Sequence, residues 1–141
     1  MIQENKELLI KDLCARLPYG VKCKVWYNDK TLDIKSTGID FYTNTVNLDI
    51  PGDDNAKVYV DNIKPYLFPL SSMTEEQKKE SPFESSLLNA FINGYISLFE
   101  DEELAIGDVV RMLEWLNKNH FDYRGLIPMD LAIDCTNLNI Y

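Results

Sequence analysis

The sequence predicts an α+β chain folded as one domain: an N-terminal helix, a small five-strand antiparallel sheet or SH3-like barrel, and a C-terminal section of two to three helices. Three observations predict it. Apolar residues recur at helical spacing over residues 4–17, alternate at a two-residue period between residues 21 and 60, and return to helical spacing after residue 81. With 141 residues, 45% of them hydrophobic, the chain can bury about two-thirds of the surface its unfolded form exposes. Such a core needs no covalent staple.

The first helix places Leu9, Ile10, Leu13, Cys14 and Leu17 on one face. Lys6 falls on the same face near its open end, where the stem can lie on apolar surface with the ammonium in water. Pro18 and Gly20 stop the helix. In "VKCKVWY" the period changes: Val21, Cys23, Val25 and Tyr27 alternate with Lys22, Lys24 and Trp26. "NDK" then reads as a turn, "TLDIKS" and "GIDFY" as two more strands, "VNLDI" as a fourth and "KVYV" as a fifth. Tight polar turns at intervals of about ten residues are the pattern of a small antiparallel module. "IKPYLFPLSS" reads as a bridge across that module, because Pro65 and Pro69 lack the donors a central strand requires.

The later segments are helical. "SMTEEQKKE" predicts a short charged helix capped by Ser72 or Thr74. "SPFE" has Ser81 at a cap, Pro82 at the first helical position and Glu84 in capping-box register. Behind it Phe83, Leu87, Leu88, Phe91, Ile92, Tyr95, Ile96 and Phe99 cover roughly 220° of a helix spanning residues 82–99, far wider than an ordinary surface stripe. That helix is expected to be enclosed from two directions, by the sheet and by another helix or a partner subunit. "GDVVRMLEWLNKN" makes the last helix, with Ile106, Val109, Val110, Leu113 and Leu116 inward and Glu114 paired to Lys118 outside.

Charge divides unevenly. Residues 1–70, the helix and strand module, hold nine Lys/Arg against ten Asp/Glu, a net of −1; residues 71–141, the helical section packed on it, hold five against thirteen, a net of −8. The acidic half is a poor surface for phosphate backbones. Cys14, Cys23 and Cys135 are an odd number without a C-x-x-C pair, as expected of reduced thiols in a cytoplasmic protein. One histidine and scattered cysteines leave no spacing for a zinc site. The opening residues lack the apolar run of a signal peptide. "LLNAFINGYISLF", with two asparagines in 13 residues, is too short to span a bilayer.

Candidate chemistry gathers at "NKNHFDYRG". His120 continues the apolar stripe of the last helix, so it reads as a helix-end residue packed on the core with one ring nitrogen bonded to a backbone carbonyl. No nucleophile motif accompanies it. Asp122 reads as an acceptor of turn donors and Arg124 as the partner of an acid in the C-terminal half. The competing reading makes Tyr123 and Arg124 a recognition patch, since both types are enriched in interface hot spots. The acids of residues 100–103 lack the alternation and glycine of a calcium loop. Gly38, Gly52 and Gly107 form no phosphate-binding loop. Trp115 lies off the inner stripe and Trp26 on the lysine-bearing strand face. Each either packs under a neighbouring segment or anchors an interface.

"IKPYLFPLSSMTEEQ", "FDYRGLIPMDLAID" and the opening "LLIKDLCARLPYGVK" resemble stretches of small uncharacterised proteins encoded by gut Bacteroidales and by their phages and integrated elements. Those proteins carry a glycine where this chain has Asp130, which implies a local backbone difference after Pro128. The resemblance brings no activity, cofactor or site. It implies a bacterial or phage cytoplasmic setting and an accessory role.

The expectation is a non-enzymatic interaction protein with no cofactor, metal or catalytic residue, acting through a protein partner or self-association, with Trp26, Trp115, Tyr123 and Arg124 as candidate contact residues. One alternative is a nucleic-acid-linked β-module binding through Lys22, Lys24 and Trp26. Another is an acidic phosphate mimic that inhibits a nucleic-acid-binding host protein. An enzyme would require a deep pocket gathering His120, Asp122 and a nucleophile from the strands.

Overall fold

A computed structural model describes residues 1–26, 31–100 and 104–141, with backbone alone for residues 33–37. Helix α1 (Gln3–Arg16) forms where the apolar period predicts it and gives way to a 3-10 turn at Leu17–Tyr19. Leu9, Ile10 and Leu13 are buried, with Cys14 and Leu17 half-buried. Burial also takes in Asp12 and Arg16, so the covered arc is wider than the apolar stripe. Lys6 keeps its head at the surface, 3.1 Å from Asp61.

The strands are β1 (Lys22–Val25), β2 (Thr31–Asp40), β3 (Thr45–Asp49), β4 (Lys57–Tyr59), β5 (Ile63–Pro69), β6 (Phe121–Asp122) and β7 (Ile133–Asp134). The path runs β4-β3-β2-β1-β5-β6, with β7 also paired to β5. β4 and β6 are its two ends, so among the described residues the sheet is open and the barrel alternative is not realised. The two strands expected from "TLDIKS" and "GIDFY" are one. β2 continues through a register shift between Ile34 and Ile39 opposite β3, an irregularity that bends a strand without ending it. Tyr27 and the expected turn at residues 28–30 lie outside the described residues.

The proline-bearing bridge is instead a sheet strand, and backbone alternation explains how. Trp26 N–H donates to the Asn62 carbonyl, and the Tyr141 hydroxyl donates to the Tyr66 carbonyl while accepting from Lys22 N–H. The polar groups of Asn62 and Tyr66 therefore face the β1 flank. Successive residues point their backbone groups to opposite flanks, so the nitrogen of Pro65 faces away from β1. The alternation does not carry on to Pro69, because Phe68 N–H donates to His120 O on the β6 flank. Cys23 opposite Pro65 is a pair that exchanges no ladder bond. Proline costs nothing there.

Two cores result. The first lies between α1 and the sheet, joining Leu9 and Leu13 to Val25, Leu48, Ile63 and Leu67, with Leu126 and Leu131 from the C-terminal turns. The second holds Met73, Phe83, Leu88, Phe91, Leu98, Met112, Leu116 and Phe121. β5 serves both, since Leu67 points into the first while Phe68 packs on the second.

Among the described residues, three helices make up the C-terminal section: α2 (Glu75–Glu80), α3 (Ser85–Ile92) and α4 (Ile106–Lys118). Thr74 caps α2 in a full capping box with Gln77. Ser81 does not cap the next helix. It ends α2 in extended conformation, as a residue before proline must, and α3 starts at Ser85 without a side-chain cap. The long helix expected over residues 82–99 is also absent. Gly94 N–H donates to Phe91 O and Tyr95 N–H to Ala90 O, with Gly94 at φ +79°. Those paired bonds are a Schellman stop. Beyond it Tyr95 and Phe99 are exposed, so the apolar run is not enclosed from two directions. No helix among the described residues is long and apolar enough to cross a membrane.

Candidate functional site

The N-terminal helix and the turn after α4 meet in a buried polar cluster. Arg16 and Asp12 are both fully buried, joined by Nε–Oδ2 at 2.7 Å and Nη2–Oδ1 at 3.0 Å. Arg16 Nη2 also donates to the Phe121 carbonyl at 2.7 Å. Helical spacing makes the pair possible, since residues four apart share a face. Arg124 brings its Nε to 3.4 Å from Asp12 Oδ1, so one carboxylate serves two guanidiniums. Both cations also lie over the Tyr123 ring, at 5.4 Å for Arg16 and 5.0 Å for Arg124. The Tyr123 hydroxyl donates to Asn117 Oδ1 at 2.8 Å. The acid that pairs with Arg124 thus comes from α1, not from the C-terminal half. Asp122 behaves as expected, accepting the N–H groups of Leu126 and Ile127.

His120 adopts φ +62°, the left-handed conformation that glycine usually supplies at a helix end, and sends its carbonyl to Phe68 N–H. Its ring stacks on Tyr141 at 3.6 Å between centroids. The expected bond from a ring nitrogen to a backbone carbonyl is absent at Nδ1, which is buried without a partner. Burial, and then the positive charges of Arg16 and Lys22, hold the imidazole pKa down at about 4. Burial raises the thiols of Cys14 and Cys135, the latter to about 11 with help from the Asp134 charge. Neutral thiols are weak nucleophiles. Among the described residues no three His, Cys, Asp or Glu side chains are grouped to hold a metal ion.

The four expected contact residues separate. Trp115 is half-buried and stacks on Phe121 at 5.5 Å, so it packs beneath a neighbouring segment. Tyr123 and Arg124 belong to the buried cluster. Trp26 alone is open, at 75% exposure. It borders a cavity of about 140 Å³ with Lys24, Asp61, Ile63, Lys64 and Ile133. Lys64 is paired there to Asp130 at 2.6 Å, and Asp130 itself takes φ +59°, a conformation that suits glycine.

A second surface escaped the sequence reading because its residues were assigned inward. On α4 the deeply buried residues are Met112, Leu116 and Asn117, with Val109 and Leu113 half-buried. Ile106 is 83% exposed and Val110 48%. With Phe99, 60% exposed, they line an open apolar groove of about 490 Å³ whose other walls are Leu98, Glu100, Leu104 and Val109. Phe99 joins this groove to the buried cluster, lying 6.4 Å from the Tyr123 ring and 5.6 Å beneath Arg124. The wide apolar run signals Phe99 alone, while Ile106 and Val110 lie beyond it and share their spacing with the inward residues of α4. Of the acidic run, Glu100 lies on the groove, and residues 101–103 lie outside the described residues. No family model, no curated protein and no solved structure matches this chain.

Proposed function

We propose that this chain is a non-enzymatic interaction protein acting through protein contacts, an accessory factor in the cytoplasmic bacterial or phage setting that the resemblance of residues 63–77 and 121–134 implies. The observation that carries the reading is the groove of Phe99, Ile106 and Val110. Large apolar side chains stand open there, and one of them, Phe99, packs on Tyr123 and Arg124 of the polar cluster. Contiguous exposed apolar surface with a polar rim is where proteins bind one another. His120 fits a structural role, with its ring under Tyr141 and its carbonyl in the sheet.

The test is a displayed random-peptide selection against the full chain and against an Ile106→Lys/Val110→Lys variant. Sequences enriched on the parent and lost on the variant support the reading. Equal enrichment on both overturns it.

A nucleic-acid-linked role has one favourable observation, the exposed Trp26 beside Lys24 and Lys64. Against it stand Asp61 in the same cavity and the Lys64–Asp130 pair. Binding of single-stranded DNA that weakens steeply with salt and is lost in Trp26→Ala would favour it over the first reading.

A further inference from the structure

We infer that β1, β5 and His120 form a slot for a phenol ring, and that residues 136–141 are a detachable strap which fills it with Tyr141. The ladder between β1 and β5 pairs Val25 with Ile63, Lys24 with Lys64 and Cys23 with Pro65. One step further brings Lys22 across from Tyr66, and there the regular pairing stops. The Tyr141 hydroxyl stands in that step, accepting from Lys22 N–H at 3.0 Å and donating to the Tyr66 carbonyl at 3.0 Å. A side chain thus completes a bond that two paired backbones would otherwise make directly. The His120 ring lies against the phenol at 3.6 Å between centroids and 11° from parallel, with the Phe68 ring 6.2 Å away. Such a slot calls for a flat ring to stack, and for one group on it that both donates and accepts a hydrogen bond. Burial lifts the Tyr141 pKa above its ordinary 10, so the hydroxyl stays neutral and keeps both roles.

The rest of the strap holds little. Residues 136–139 are exposed. The strap's hydrogen bonds are local: Thr136 N–H donates to Asp134 Oδ1, Leu138 N–H to the Cys135 carbonyl and Ile140 N–H to the Leu138 carbonyl. Among the described residues, no hydrogen bond or ion pair ties residues 136–140 to anything before Asp134. Neither core includes them. Tyr141 is therefore the single latch, and the residue as a whole remains 43% exposed. Segments with few buried contacts open without the rest of the fold. Cys135, by contrast, is fully buried, and its N–H donates to the Leu67 carbonyl, so the strap hinges just beyond it. Once the strap lifts, the imidazole face of His120 and the backbone groups of Lys22 and Tyr66 meet solvent, and the slot is open to a phenol ring.

Two measurements on the full chain test it. In native-state hydrogen exchange the Lys22 amide, bonded to the latch, is expected to exchange about a hundredfold faster than the amides of Phe68 and Cys135, and with little dependence on urea. Equal rates and equal urea slopes at the three amides overturn the detachable strap, because the phenol then leaves only when the whole fold opens. The second measurement follows the melting temperature of Tyr141→Ala with added p-cresol, the tyrosine side chain without its backbone, or toluene, the same ring without the hydroxyl. p-Cresol is expected to raise the melting temperature of the variant more than toluene does, and to leave the parent, whose slot is filled, unchanged. Equal effects of the two compounds overturn the hydrogen-bonded slot, and so does the absence of any effect. A Tyr141→Ala chain that fails to fold overturns the inference as well, since a detachable strap is dispensable to both cores.

Discussion

Asp12 and Arg16 form an ion pair with no exposed surface on either side chain, and the same guanidinium reaches across the fold to the carbonyl of Phe121. One contact set thereby ties the N-terminal helix to the turn that follows α4. Burying charges is expensive, and an uncompensated buried charge is more so. Asp12→Ala leaves two guanidiniums facing each other without their shared carboxylate and is expected to destabilise by about 3–5 kcal/mol. Arg16→Ala leaves Asp12 with Arg124, so its loss should be smaller than that of Asp12→Ala. Urea unfolding of the two variants measures the order, and the reverse order contradicts the geometry.

Arg124 sits on the same carboxylate but is partly exposed and shared between two aromatic rings. Arg124→Ala is expected to lower stability by about 1 kcal/mol, from lost cation–π contact and a weakened ion pair. Unchanged stability with loss of a partner would instead mark it as a recognition residue.

His120 has its pKa held near 4, below its ordinary 6.5, first by burial and then by Arg16 and Lys22. Between those values the unfolded chain binds a proton that the folded chain does not, so the folded state loses ground as pH falls. The contribution is fully present above about pH 6.5 and is lost as pH drops towards 4. His120→Asn keeps a residue that tolerates the left-handed backbone and removes the titration. Melting temperatures at pH 7 and pH 5 should lie closer together in the variant than in the parent.

Gly94 ends α3 at φ +79° with no atom near the position a Cβ would take. The cost of a side chain there is conformational and not steric crowding. Gly94→Ala is expected to destabilise by about 1 kcal/mol, read from a urea midpoint shifted at unchanged slope. A stabilised variant would mean that the helix runs on through residue 94.

The two tryptophans report on the packing directly. With Trp115→Phe, the emission of the exposed Trp26 should be quenched readily by iodide. With Trp26→Phe, the half-buried Trp115 stacked on Phe121 should resist. Equal quenching would contradict the placement of both.

The amino-acid order alone determined what depends on near neighbours. The helical period of residues 4–17, the alternation through Cys23 and Val25, the Thr74 cap and the turn role of Asp122 are local patterns, and each is present. The Asn93–Gly94 stop was also written locally, but the wide apolar run on either side of it reads as continuous helix. Tertiary structure decided the rest. Pro65 enters a strand because β1 happens to lie on the flank that its missing donor does not face. Asp12 finds Arg124 across a long stretch of chain. Ile106 and Val110 stay open because the segment that covers Asn117 ends before reaching them. Periodicity states which side of an element is apolar; only the placement of other elements states whether that side is covered.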